Sequence, residues 1–176
     1  MKKIIFIAIL MLSNYCFSDS REFNPKAIMG IFGKTCLMGA ASPSTLKKLL
    51  NKFPKFDKEK AMQFIKPTDG EAWSTPTATG NMVFTLHFNG MCSIHVRETD
   101  TKKLKEYFLT LTNEMAKKLK STREELKNEV KGNKHSIIYT VYAKSRNFEI
   151  VTGLTTDNSK KRSRAAVITA YLQNNT

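Results

Sequence analysis

Two cysteines and two histidines hold most of the chemical options in this chain. Cys36 and Cys92 outlast the first twenty residues, and the stretch FNGMCSIHVRE at 88 to 98 sets Cys92 three residues before His95. A cysteine beside a histidine raises the question of a nucleophile and its base. Period-two alternation answers it, because Cys92, Ile94 and Val96 share one face of a strand while Ser93, His95 and Arg97 share the other. The cysteine and the histidine therefore point apart. Cys92 instead pairs with Cys36 as a disulfide, the usual use of two cysteines in an oxidising compartment. A free reactive thiol is the rival, and Cys36 has no histidine near it in sequence.

His87 and His95 fall together on the other face of the predicted hairpin, with Glu98 and Asp100 close in sequence. A two-histidine and one-carboxylate metal site is conceivable there. The plainer expectation is a half-exposed polar face that meets water or a partner. His135 begins a strand and suggests no chemistry. The chain has no G-x-S-x-G, H-E-x-x-H, Walker loop or G-x-G-x-x-G, so no motif argues for an enzyme, a cofactor or a metal.

Charge supplies another set of candidates. The 176 residues carry a formal net charge of +14, with Lys outnumbering Arg 23 to 6. Base and phosphate recognition leans on the arginine fork, so a lysine-rich surface argues against a nucleic-acid partner. It suits an acidic protein, an anionic envelope polymer or anionic lipid. The densest basic stretch, SKKRSR at 159 to 164, brings Lys160, Lys161, Arg162 and Arg164 into an expected loop. With His87, His95 and Arg97 these form the expected interaction surface. A solvated loop with no partner is the alternative.

The elements that must position these residues follow from pattern. MKKIIFIAILMLSNYCFSDS reads as a secretory signal peptide, 1–18: two lysines, then an apolar run of nine, then small polar residues. An uncleaved anchor, or lipid attachment at Cys16, are the alternatives. Residues 19–176 are expected to form a single domain, periplasmic or secreted, with no further transmembrane segment. Asn24 with Pro25, Ser42 with Pro43, and Asp57 open three short helices. Trp73 sits in a turn-rich stretch, either as a core plug or as an exposed ligand-binding aromatic.

NMVFTLHF and CSIHV alternate as two strands. A loop of Asn89-Gly90-Met91 would pair Phe88 with Cys92, Leu86 with Ile94 and Phe84 with Val96, all facing one way. DTKKLKEYFLTLTNEMAKKLK has apolar residues at three- and four-residue steps and predicts the longest amphipathic helix. STREELKNEVKG predicts a charged helical extension with a capping box of Ser121 and Glu124, stopping at Gly132. SIIYTVYAK, NFEIVTGLTT and RAAVITAYL are β-branched and aromatic strands. The expected class is α+β: an antiparallel sheet of five or six strands, with the N-terminal short helices and the long helix packed on one face.

The segments KTC at Cys36, FP at Phe53-Pro54, GEAW at Gly70 to Trp73 and NGMCSIHVR at Asn89 to Arg97 resemble a family of small exported bacterial proteins and lipoproteins of unknown function. The resemblance implies export and one domain, and it implies no activity. Members often carry a lipid-attachment cysteine, from which this chain departs. The expected role is an exported, non-enzymatic binding protein, with an immunity-type inhibitor of an exported toxin as one concrete form. A small hydrolase or metal enzyme using the hairpin's outer face is the first alternative, and an anionic lipid or polymer binder is the second.

Overall fold

The computed structural model describes residues 23–75, 82–143, 148–159 and 164–174. The leader expected at 1–18, Cys16, and three of the basic-loop residues (Lys160, Lys161 and Arg162) lie outside them.

The fold is α+β, built on one antiparallel sheet of seven strands in the order β1-β2-β3-β7-β6-β5-β4. The strands are β1 Gly70–Ser74, β2 Met82–His87, β3 Cys92–Val96, β4 Arg123–Lys131, β5 Lys134–Ala143, β6 Phe148–Asp157 and β7 Ala166–Asn174. The sheet is larger than the five or six strands expected, for two reasons. GEAWS is strand rather than turn, because Trp73 pairs with Phe84 on β2 and is fully buried. REELKNEVK is strand rather than helix, because it pairs along its length with β5. Its glutamates and lysines favour a helix locally, but the two-residue turn Gly132-Asn133 folds it back, with Gly132 at φ 57. The capping box of Ser121 and Glu124 does not form, since Glu124 lies on β4 opposite Thr140.

Helix α1 is Pro25–Phe32, α2 is Pro43–Leu50, α3 is Lys58–Ala61 and α4 is Thr101–Lys118. Asn24 caps α1 by accepting from Lys26 N, Asp57 caps α3 by accepting from Lys60 N, and Asp100 caps α4 by accepting from Lys103 N. Gly33–Leu37 continues α1 as a π-helical turn. Helix α4 leaves the middle of the sheet after β3 and delivers the chain to the far edge at β4.

Helices α1, α2 and α4 lie against one face of the sheet. Ile28, Phe32, Leu50, Leu104 and Phe108 pack there with Trp73, Phe84, Ile94, Ile168 and Leu154. The helices are not confined to that face. Ala61 and Ile65, with Phe56 and Phe64, pack against Ala72 and Val83 on the opposite face. The β1–β2–β3 end of the sheet is thus covered on both sides.

Candidate interaction surface

Cys36 and Cys92 form a disulfide, with Cα atoms 5.2 Å apart and both residues fully buried. It ties the π-helical turn to β3 inside the main core.

The hairpin keeps its expected faces but not its expected loop. Met82, Phe84, Leu86, Cys92, Ile94 and Val96 all point into the core, with Leu86 opposite Cys92 and Phe84 opposite Ile94. The three-residue loop is Phe88-Asn89-Gly90, one position earlier than expected. His87 N donates to Met91 O at 2.8 Å and closes it. Phe88 is therefore a loop residue, 66% exposed, rather than a core partner of Cys92. Gly90 takes the left-handed position at φ 88, against Pro43.

Of the residues expected to face outward, His95 and Arg164 turn inward instead. His95 is buried, at 7% exposure, beneath Phe64, whose ring meets the imidazole edge-on at 5.3 Å. Arg164 lies 3.0 Å from His95 Nδ1. A guanidinium only donates, so Nδ1 accepts and the proton sits on Nε2. Nε2 in turn faces Thr85 Oγ1 at 3.2 Å. Both ring nitrogens are thus engaged, and metal ligation would have to break one of these contacts. Burial, then the charges of Arg164 and His87, push the His95 pKa down to about 3.

Arg164 also stacks over Phe64 at 5.8 Å, so the last arginine of the basic stretch turns inward. His87 is half-buried and its pKa is lowered by burial, partly offset by Asp69. Arg97 is exposed. Among the described residues, no group of three or more His, Cys, Asp or Glu could hold a metal ion.

An open surface with a different character lies on the helical side. The end of α1, the π-helical turn that continues it and α4, with Ile150 of β6 beneath them, line a groove of about 450 Å³ with an apolar floor. Met29, Met38 and Met115 supply three methionines, joined by Leu37, Leu111 and Leu119. Met38 is 71% exposed. Methionine is polarizable and unbranched, and it recurs on surfaces that adapt to a bound partner. The turn's wider bore fits its place here, since π-helical turns are rare and concentrate at functional sites. A Cβ on Gly33 would meet Leu111 at 3.8 Å, an ordinary packing distance, so the two helices approach here without requiring glycine.

Lys34 and Lys118 stand on the rim. Glu114, also on the rim, pairs with Lys117 at 3.1 Å, while neither Lys34 nor Lys118 makes an ion pair among the described residues. The groove's uncompensated charge is positive. Sequence reasoning missed it because the same methionines and leucines read as ordinary core stripes of two separate helices. Only their packing leaves a trough between them.

A second polar cluster lies behind α2. Glu71 is held by Lys47 at 2.7 Å and Lys55 at 2.5 Å. Burial opposes its ionisation, but the two ammonium groups outweigh it and lower its pKa. Lys55 also sits 6.0 Å from the centre of the Trp73 ring. These contacts fasten the 54–56 segment to β1.

No protein-family model, curated protein or solved structure matches the chain. Among the described residues, no helix is long and apolar enough to cross a membrane.

Proposed function

We propose that this chain is an exported, non-enzymatic binding protein whose working surface is the groove between the π-helical turn and α4. The occupant is an acidic amphipathic segment of a partner protein. Its apolar side lies on the methionine-rich floor and its carboxylates reach Lys34 and Lys118. The single observation that carries this reading is the pairing of an open apolar trough with two uncompensated lysines on its rim. This is the helix-in-groove mode of recognition, in which apolar anchors supply affinity and rim charges supply orientation.

Export is supported by the leader-like composition of residues 1–18 and by the buried Cys36–Cys92 disulfide, which suits an oxidising compartment. An immunity-type inhibitor that caps an exported toxin is one form this role takes. A single domain of residues 19–176, related to the small exported proteins it resembles, fits the same picture.

A synthetic helical peptide with leucines along one side and glutamates along the other tests the proposal. The expected result is saturable binding, with amide shifts confined to the groove. The K34E/K118E double variant should weaken it about tenfold or more, consistent with about 1 kcal/mol lost at each of two charge contacts. Equal binding of a lysine version of the peptide, or indifference to the double variant, would overturn it. Binding only to anionic vesicles would move the role to a lipid surface.

A further inference from the structure

The two edges of the sheet differ. The β1 edge is covered by the 54–56 segment: Lys55 bridges Trp73, Phe56 N donates to Ala72 O and Ser74 N donates to Pro54 O. At the other end β4 pairs with β5 alone, and no described segment runs along its outer side. Strand β4 also carries two of the exposed large apolar side chains, Leu126 at 54% and Val130 at 66%. An open edge with exposed apolar residues is a template for another strand.

The phase of the ladder fixes which residues that strand would meet. Lys131 and Lys134 flank a two-residue turn, so they are a hydrogen-bonded pair. Glu129 and Lys127 then direct their backbone groups to β5 as well. Asn128 and Val130 direct theirs to the open edge.

We propose that β4 pairs with β4 of a second copy, antiparallel, about a twofold axis at Asn128, giving a sheet continuous across a homodimer. The sequence of the edge is complementary to itself in this register. Lys127 faces Glu129 of the second copy, Leu126 faces Val130, and the two Asn128 residues exchange backbone hydrogen bonds. Because the register is symmetric, each contact occurs twice.

Leu126 sits at the bulge between Glu125 and Lys127, so its side chain rather than its backbone makes this contact. Within one chain Glu129 already meets Lys127 at 2.7 Å and Lys131 at 2.8 Å. In the dimer a third ammonium, from Lys127 of the second copy, joins it.

Neighbouring registers fail. An axis at Lys127 sets Glu125 against Glu129 and Arg123 against Lys131. An axis at Glu129 sets Lys127 against Lys131. Like charges directly opposite destabilise a sheet. Charge therefore rejects the two registers on either side of this one. Arg123 holds the start of the strand in place by donating to Thr112 Oγ1 at 3.0 Å and lying over the Tyr139 ring at 3.9 Å.

Sedimentation of the disulfide-intact protein over a wide concentration range tests the proposal. The mass should rise from monomer toward dimer as concentration increases. Glu129→Lys should weaken association about tenfold or more, because two symmetric ion pairs become repulsive. Restoring complementarity with Lys127→Glu in the same chain should recover most of it. Val130→Lys, on the open edge, should also weaken it. A monomer at every concentration, or a dimer indifferent to Glu129→Lys, would overturn the assignment. Failure of the double exchange to rescue a variant that keeps its native circular dichroism would overturn the register.

Discussion

The Arg164 guanidinium and the His95 imidazole meet at 3.0 Å inside the protein, with the ring nitrogen accepting. That one contact joins the end of the basic stretch to the outer side of β3. It also holds the histidine neutral, since protonating Nδ1 would set two cations against each other under Phe64.

Burial of His95, reinforced by this contact, predicts an acid-sensitive fold. His95 titrates near 6.5 when unfolded and at about 3 when folded. Between those values the unfolded chain binds the extra proton, so stability is complete above pH 6.5 and declines as pH falls toward 3. The slope contributed by one such group approaches about 1.4 kcal/mol per pH unit. Urea denaturation at a series of pH values should show this decline. His95→Asn, which keeps an acceptor for Arg164 but does not titrate, should flatten it. An unchanged slope in that variant would mean that other groups set the acid sensitivity.

The disulfide should dominate the stability of the helical layer. Cys36 and Cys92 are 56 positions apart, and closing a loop of that size stabilises by about 4 kcal/mol in the chain-entropy model. Both sulfurs are buried, so reduction should require unfolding or strong reductant. The Cys36→Ser, Cys92→Ser double variant should show a lower urea midpoint. Intact mass should show two hydrogens fewer in the native protein than in its reduced form.

Gly90 should resist substitution more than Gly132 does. Both have positive φ, at 88 and 57, but a Cβ on Gly90 would also approach Pro43 at 3.0 Å whereas one on Gly132 meets nothing. Gly90→Ala is expected to cost about 1 kcal/mol or more from backbone strain alone. Gly132→Asn should cost little, because asparagine tolerates the left-handed region. Thermal midpoints of the two variants decide it.

How far the sequence reveals this arrangement depends on the range of the force involved. The inward face of the hairpin was legible from alternation, because a slip of two residues preserves it. The loop position was not, because Asn89-Gly90 fits two neighbouring three-residue loops, and the contacts that accompany the earlier one, Phe88 N donating to Asp69 O and Gly90 lying against Pro43, are distant in sequence. β4 misread as helix because glutamate and lysine propensities are local while its pairing with β5 is not. Gly132-Asn133 was the available signal for a hairpin there. Alternation puts His95 on the correct face, but it does not say what covers a face. Phe64 and Arg164, distant in sequence, bury it. The groove is a property of two helices together and has no signature in either.

The most direct test of the groove's role places a photo-reactive amino acid at Met38 and, as a control, at Phe88, both exposed but at separate sites. The probe-bearing chain is illuminated in envelope preparations of the producing cell. A discrete acidic protein cross-linked from Met38, absent from Phe88 and lost in the K34E/K118E background, is the predicted result. Cross-links to the same protein from Phe88 and not from Met38 would contradict it.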